Sequence, residues 1–323
     1  MTAPLPAADL VARFRADLEA LTSAEPDMLG IAVSGGPDSL ALLLLAAAAL
    51  PGRVQAATVD HGLRAESAAE ARLVASVCNG LGVPHAVLSV EVNRDKASLQ
   101  RAAREARYHA LASWLDACGT SWLATAHHVD DQAETLVMRL LRGSGVGGLA
   151  GVRRSGPIAN SSARLIRPVL GWRRETLAAV VDAAGIAAVA DPSNQDERFD
   201  RVRIRRRLGQ SDWIDPTALA RSAGALAEAD AALEWTADRL ADERVRSEGE
   251  GLSLDPADLP AELRRRLTLR LIRQLAPAAA SRGEEVARLL DTLDAGGTAT
   301  LAGIKCSGGA RWHFERAAPR RAD

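Results

Sequence analysis

A short loop with residues suited to phosphate binding lies near the start of the chain. It joins an apolar run to a predicted helix and consists of Ser34, Gly35, Gly36, Pro37, Asp38 and Ser39. Glycines let backbone N–H groups approach phosphate oxygens, and a helix N-terminus adds a positive dipole end. Asp38 is suited to hold Mg²⁺ beside a polyphosphate, because this ion prefers one or two carboxylates together with phosphate oxygens. The Gly-Lys-Ser/Thr ending of a Walker A motif is missing, and an ordinary strand-to-helix turn is the alternative.

A second cluster of reactive side chains follows a predicted strand and opens a helix. It comprises His127, His128, Asp130, Asp131 and Glu134. His127 and Asp131 are four residues apart, as are Asp130 and Glu134, so each pair shares one helix face. The cluster could bind a metal or transfer protons. Alternatively, Asp130 caps the helix and the other acids favour its dipole.

Arginines are concentrated in residues 199–207, Phe-Asp-Arg-Val-Arg-Ile-Arg-Arg-Arg. In an extended segment Arg201, Arg203 and Arg205 point to one side. In a helix Arg201 and Arg205 still share a face. Both conformations give a cationic edge suited to phosphates. The alternative is a solvated arginine face, but the predicted catalytic loops favour a phosphate-binding role.

Alternating apolar segments predict the framework that positions these residues. Strands are predicted at residues 28–33, 54–59, 84–90 and 122–126, and helices at 40–50, 66–81, 97–117 and 130–141. This alternation indicates an α/β fold with a doubly wound, Rossmann-like parallel sheet. Such sheets bind ligands at the carboxyl ends of their strands, where the loops after Val33, Val59 and Ala126 would lie.

Beyond Asp212 the strand signals fade, which indicates a domain of residues 1–212 and a smaller, mostly helical domain of residues 213–323. Helices are predicted at 216–247, 260–275 and 284–293. Residues 296–316 contain two glycine pairs and form either a short hairpin or a frayed tail. Five arginines either line a tRNA surface or only solvate a helix: Arg264, Arg265, Arg266, Arg270 and Arg273.

Composition limits the class of protein. The 323 residues carry a formal net charge of -1, and only 3% are aromatic, which argues against an aromatic stacking platform for single-stranded nucleic acid. The near-neutral total does not exclude an RNA partner, because local clustering of arginine decides that. Cys78, Cys118 and Cys306 form no CxxC pair, which fits a reducing compartment. No signal peptide is evident and the apolar run at 40–50 is too short to span a bilayer, so we expect a cytoplasmic protein.

The loop of residues 34–39 resembles a known phosphate-binding motif. Ser-Gly-Gly-x-Asp-Ser after a strand is similar to the PP-loop of the N-type ATP pyrophosphatases. That resemblance implies cleavage of ATP between its α and β phosphates and activation of a carbonyl oxygen as an adenylate.

A longer series of motifs resembles the tRNA(Ile)-lysidine synthase family over about residues 28–208. The series consists of the PP-loop, Val59–Arg64, Arg104–Tyr108, Ala126–Thr135, Arg139–Gly145, Arg167–Leu170, Asp191–Asn194 and the arginine run. The resemblance implies an AMP-forming ligase that joins L-lysine to carbon 2 of the wobble cytidine in the CAU anticodon of tRNA(Ile). It implies an adenylated cytidine intermediate, and a change of codon from AUG to AUA and of identity from Met to Ile. The C-terminal domain would then bind tRNA, and a homodimer is expected.

The resemblance also implies roles for individual residues. The PP-loop with Asp60 and His61 would bind ATP, and Asp38 would hold Mg²⁺. The residues expected to serve catalysis are Asp38, Arg107, His127, Asp131, Arg201 and Arg205. The division of roles among His127, Asp130, Asp131 and Glu134 stays open.

Four other functions compete with this one. A tRNA thiolase needs paired cysteines or an iron–sulfur site, and the chain has no CxxC. An amidating ligase needs an ammonia source, and no glutaminase motif is present. A non-catalytic RNA-binding protein would not need Asp38, His127 and Asp131. A zinc hydrolase would need His127 and His128 on one metal, but adjacent side chains on one element usually point apart.

Overall fold

The computed structural model of the chain describes residues 5–60, 67–90, 99–189, 198, 200–277 and 283–318. The chain forms two compact units. The first comprises Met1–Gly143 and Gly148–Gly224, and the second comprises Ser144–Gly147 and Ala225–Asp323. Within the described ranges, no helix is both long and apolar enough to cross a membrane.

A six-stranded sheet forms the centre of the first unit. Its strands are β1 (Leu29–Ala32), β2 (Val54–Asp60), β3 (His85–Ser89), β4 (Trp122–Ala124), β5 (Ser155–Pro157) and β6 (Arg164–Ile166). They lie in the order β3-β2-β1-β4-β6-β5. All neighbours pair in parallel except β5, which is an antiparallel edge strand beside β6. The predicted parallel sheet is therefore confirmed.

Helices flank this sheet, and one of them forms its main core. They are α1 (Ala8–Thr22), α2 (Pro37–Ala49), α3 (Ser67–Leu81), α4 (Leu99–Ala117), α5 (Val129–Leu140), the single turn α6 (Val146–Leu149), α7 (Arg174–Ala183) and α8 (Asp200–Gly209). A helix that is apolar on every face must be buried on every face. Accordingly α2 packs among α1, α7 and β1, and Leu40 to Leu45 are at most 1% exposed. This burial fixes the N-terminus of α2 at the edge of the sheet.

The order of the strands explains why distant loops meet. From β1 the chain moves to β2 and β3 on one side, and later returns to β4 and β6 on the other. β1 and β4 are adjacent and parallel, with Ile31 opposite Ala124. The connections that leave their carboxyl ends run in opposite directions, so a crevice opens between them, where ligands bind in sheets of this kind.

The second unit contains helices and a small sheet. Its helices are α9 (Pro216–Arg244) from Ala225 onward, α10 (Ala261–Leu275) and α11 (Gly283–Asp294). Its strands are β7 (Val245–Glu248), β8 (Gly251–Leu254), β9 (Thr298–Leu301), β10 (Ile304–Ser307) and β11 (Trp312–Arg316), in the antiparallel order β7-β8-β11-β10-β9. The helical segments were predicted and are confirmed. Residues 296–316 form paired strands and not a frayed tail.

Sequence analysis did not predict β7 and β8, because each has only four residues. β7 follows α9 without a loop, so the predicted helix extends three residues too far. Gly249 then turns the chain with a φ of +60°, a left-handed conformation that glycine adopts without strain. Trp312 and Phe314 of β11 are 1% exposed and anchor the core of this sheet.

Four of the five arginines in α10 form ion pairs with acids of the same unit: Arg264 with Asp294, Arg265 with Glu262, Arg266 with Asp230, and Arg270 with Asp238. Arg266 is 6% exposed, and its Nε also donates to Glu262 Oε1 at 2.8 Å. These four side chains therefore contribute to the packing of their own unit, and the alternative that they line a tRNA surface stays a prediction.

Candidate active site

The loop between β1 and α2 is closed by its own serines. The backbone N–H of Ser34 donates to Ser39 Oγ at 3.1 Å, and Ser39 Oγ donates to the Gly36 carbonyl at 3.0 Å. Gly35 has a φ of +83°, which a side chain would oppose, and Pro37 provides the first residue of the helix. The local sequence therefore presents the free N–H groups of the α2 N-terminus at the crevice, as anion binding requires.

A cavity of about 450 Å³ lies in the crevice, within the range of small-molecule sites. Its wall contains ten of the predicted site residues: Ser34, Gly36, Pro37, Asp38, Ser39, Arg107, His127, Asp131, Arg201 and Arg205. Gly35 and Asp60 lie nearby in the chain but are not part of the wall. His61 lies outside the described residues.

His128 lies behind the cavity wall among three acids. It is 1% exposed, and its Nε2 lies 3.5 Å from Asp38 Oδ2 and 3.5 Å from Asp131 Oδ2. Its Nδ1 lies 3.5 Å from Asp130 Oδ2. Burial lowers the pKa of His128, but the contacts with Asp130 and Asp38 and the charge of Asp131 outweigh burial and raise the pKa to about 9. The raised pKa favours the imidazolium form of His128, which would offset the charge of the three carboxylates at 3.5 Å without forming a hydrogen bond to a described residue.

Asp130 joins two helices and does not cap its own. Its Oδ2 accepts a hydrogen bond from the backbone N–H of Arg174, the first residue of α7, at 2.9 Å. Burial raises the pKa of Asp130, but the contact with His128 and the bond from Arg174 hold it well below its usual range. The suggestion that Asp130 caps α5 is therefore wrong, because its carboxylate is directed at the N-terminus of α7.

Asp38 has one carboxylate oxygen suited to a further ligand. Its Oδ2 faces His128, whereas its Oδ1 is buried and has no hydrogen-bond partner among the described residues. A buried acceptor without a partner is costly, so it calls for a cation or a donor from a bound ligand. The described part of the chain contains no group of three or more His, Cys, Asp or Glu side chains arranged for a metal ion.

His127 faces the opposite way from His128. Arg167 Nε donates to His127 Nδ1 at 3.3 Å, and Thr125 Oγ1 lies 3.2 Å from the same atom. Burial lowers the pKa of His127 to about 4, opposed by Asp131 and reinforced by Arg167 and Arg201. His127 is therefore neutral at pH 7, and its proton lies on Nε2 because Nδ1 accepts from a guanidinium.

The arginine run is helical, and its two candidate residues share the face towards the site. Arg201 donates from Nε to Glu134 Oε2 and from Nη2 to Asp131 Oδ1, both at 2.7 Å. Arg205 Nε donates to Glu134 Oε1 at 2.5 Å. The Glu134 side chain is only 3% exposed. The two arginines therefore fasten α8 to α5 while they line the cavity.

A cationic wall faces the phosphate loop. Arg104 and Arg107 of α4 line the cavity, and the Arg104 guanidinium lies 5.0 Å from the centre of the Tyr108 ring. Arg167 is 7% exposed, and its Nη1 donates to the Arg153 carbonyl at 2.5 Å. Burial lowers the pKa of Arg167. The arrangement suits an anionic ligand.

Several wall residues were not chosen from the sequence as site residues: Thr58, Glu70, Arg104, Tyr108, Thr125 and Arg174. Thr58 lies in β2 two residues before its end, and Thr125 lies just beyond the end of β4. Including the last residues of each predicted strand in the site would have found both, because the strand ends meet at one edge. Glu70 and Arg174 carry no such signal.

The cysteines do not form part of this site. Burial raises the pKa of the Cys78 and Cys306 thiols to about 12. Among the described residues that line the cavity there is no cysteine. A thiolate is the reactive form of cysteine, so neither buried thiol is suited to sulfur transfer.

Residues 10–212 match the family model of the PP-loop domain. The tRNA(Ile)-lysidine synthase of Novosphingobium aromaticivorans is 49% identical over 96% of this chain and 95% of its own length. The enzyme of the same name from Zymomonas mobilis is 44% identical over 93% of this chain and 92% of its own length.

A solved structure shares the fold at low sequence identity. The U34-tRNA thiolase NcsA from Methanococcus maripaludis, solved with its [4Fe-4S] cluster, superimposes with a TM-score of 0.56 and 16% identity. The match covers 68% of this chain and 79% of that one. The likeness extends to the fold alone.

Proposed function

The chain belongs to the tRNA(Ile)-lysidine synthase family, and we propose that it joins L-lysine to carbon 2 of the wobble cytidine in the CAU anticodon of tRNA(Ile). ATP supplies the energy through an adenylated cytidine, and the products are lysidine, AMP and pyrophosphate. The modified anticodon then decodes AUA in place of AUG, and the tRNA changes identity from Met to Ile.

One observation carries the proposal at the level of the site. A single cavity brings the phosphate loop together with His127, Asp131 and a wall of arginines. Binding of ATP requires the loop and the arginines. The attack of lysine on the activated carbon, which follows adenylation, requires polar groups beside that carbon. The cavity offers both sets within about 450 Å³.

In the first step the cytidine O2 attacks the α-phosphorus of ATP, and pyrophosphate leaves. The N–H groups at the α2 N-terminus and the Ser34 hydroxyl bind the phosphate oxygens. Arg107 stabilises the charge that develops as the P–O bond breaks. Mg²⁺ fits Asp38, whose buried Oδ1 has no other partner among the described residues, and it would neutralise the polyphosphate.

In the second step the ε-amine of lysine attacks C2, and AMP departs with O2. The amine must be unprotonated to attack, and it loses a further proton once the C–N bond forms. We assign that proton to Asp131, which lines the cavity and, as a carboxylate, keeps lone pairs beyond its bonds from Arg201 and the His128 N–H. Glu134 does not line the cavity, and the single free lone pair of His127 accepts from Arg167. His127 instead donates from Nε2 to an oxygen of the reacting groups.

The C-terminal residues 213–323 form the tRNA-binding domain in this proposal. Arg273 of α10 is exposed and is the arginine of that helix best suited to a phosphate. A homodimer, which the family resemblance favours, is a separate proposal and is measured by light scattering of the purified protein.

The central experiment incubates the protein with ATP, L-lysine and unmodified tRNA(Ile), and measures nucleoside mass, AMP and pyrophosphate. We expect a lysine adduct on the wobble cytidine, with one AMP formed for each adduct. A tRNA carrying uridine at the wobble position is the matched control and gives no adduct. Well-folded protein that forms no adduct would overturn the proposal.

A further inference from the structure

Helix α8 separates the active-site cavity from a second depression in the first unit. Residues in a helix advance by about 100° each, so Arg203 and Arg207 lie on the face opposite Arg201 and Arg205. The latter pair lines the active-site cavity. Arg203, Ile204 and Arg207 line a depression of about 410 Å³ together with residues at the C-terminal end of α5.

The described residues that line this depression include three arginines and one carboxylate. Arg142 Nη2 donates to Asp200 Oδ2 at 3.0 Å, and Arg203 also pairs with Asp200. Arg207 lies one turn beyond Arg203, and no carboxylate among the described residues forms an ion pair with it. Among the described residues that line the depression, Arg207 therefore has capacity for an anion, and Arg142 lies beside it.

The rim of the depression is apolar and exposed. Leu141, which directly follows α5, is 74% exposed. Met138 and Ile204 continue the apolar surface inward. The depression therefore has an apolar side next to its arginines. The combination suits a ligand with an apolar ring and an anionic group.

We propose that this depression binds a nucleotide of the tRNA close to the reactive cytidine. The phosphate contacts Arg207 and Arg142, and the base packs on Leu141 and Met138. The width of one helix, about 10 Å, separates the depression from the active-site cavity. A stacked strand rises about 3.4 Å per nucleotide, so the nucleotide lies about three positions from the cytidine. The inference rests on the proposed function.

The first test compares two charge reversals in otherwise intact protein. Arg207→Glu places an acid in the depression. Arg164→Glu changes an exposed arginine at the start of β6, at the amino ends of the strands, whereas the site lies at their carboxyl ends. We expect Arg207→Glu to raise the KM for tRNA about tenfold or more, with the KM for ATP unchanged. Equal tRNA KM values for the two variants would overturn the inference.

The second test identifies the nucleotide. Anticodon stem-loops carry an abasic residue at each position flanking the wobble cytidine, and affinity is measured by fluorescence anisotropy for wild type and Leu141→Ser. At the contacted position the abasic change and Leu141→Ser are not additive, whereas at other positions they add. Additivity at every position would contradict the apolar contact.

Anisotropy also separates this inference from the proposed function. If the wild-type protein binds the stem-loop but makes no lysidine, the proposed function is overturned, and the binding site is still tested by anisotropy. If Arg207→Glu and Leu141→Ser form lysidine and keep the stem-loop affinity of wild type, the proposed binding site is overturned and the proposed function is supported. Matching melting temperatures of the variants and wild type establish that each variant is folded.

Discussion

Arg167 donates a hydrogen bond from Nε to Nδ1 of His127 across 3.3 Å, although 40 residues separate them in the chain. The bond places the imidazole proton on Nε2 and withdraws Nδ1 from the substrates. This geometry supports our proposal that His127 donates a hydrogen bond to the substrates and that a carboxylate accepts the proton.

Substitutions of His127 test this assignment. His127→Gln keeps an N–H donor, so we expect it to retain activity within about tenfold of wild type. His127→Ala removes the donor and should lower kcat by about 100-fold, the usual effect of losing one such donor. His127→Glu offers a base and no donor and should resemble the alanine variant. Single-turnover rates of adduct formation distinguish a hydrogen-bond donor from a base at this position. An active His127→Glu variant would show that His127 is the base.

The lowered pKa of His127 predicts how stability depends on pH. Burial, the first cause, shifts the pKa from 6.5 to about 4. Between these values the unfolded chain binds more protons, so stability falls as pH falls, by up to about 1.4 kcal/mol per pH unit from this group. Urea unfolding of wild type and His127→Gln at pH 7, 6 and 5 measures the contribution. A parallel decline in both proteins would contradict it.

Glu134→Gln should loosen α8. The change leaves Arg201 and Arg205, which are 41% and 28% exposed, without their shared acid. Because both arginines are partly solvated, we expect a loss of about 2 kcal/mol, less than for a fully buried pair. Trypsin should then cut faster at the arginines of α8. Glu19→Gln, which changes an exposed acid of α1, is the matched control, and equal cleavage of both variants would refute the clamp.

Removal of the Asp38 carboxylate should weaken the response to magnesium. Asp38→Asn keeps the size of the side chain and removes the charge that would hold Mg²⁺. We expect pyrophosphate release to need more Mg²⁺ and to reach a lower maximum, and Asp38→Ala to be less active still. A magnesium titration at saturating ATP measures both effects. Retained activity in Asp38→Ala would disprove the metal assignment.

Cys78→Ala should leave lysidine formation intact, apart from a small loss of stability. The thiol is buried with a pKa of about 12, and the described wall of the cavity contains no cysteine. Iodoacetamide should modify the partly exposed Cys118 before Cys78, as peptide mass mapping would show. Loss of all activity in a folded Cys78→Ala protein would return sulfur transfer to consideration.

Local patterns were enough to locate most of the framework. The apolar run at 40–50 identified a buried helix, and the glycines before it identified the loop that begins at Ser34. Short strands such as β7 and β8 were missed because four residues show no clear periodicity, and their stability comes from pairing with β11.

The sequence by itself determined the phosphate loop, the alternation of strands and helices that indicates a parallel sheet, and the set of candidate side chains. These depend on residue type and spacing along the chain. Only the tertiary structure decided that Asp130 is bound to α7, that Glu134 is bound by two arginines, and that Arg167 fixes the tautomer of His127. Each of these contacts joins residues more than 35 positions apart. Such contacts depend on how helices pack across the sheet, and residue spacing alone does not encode that.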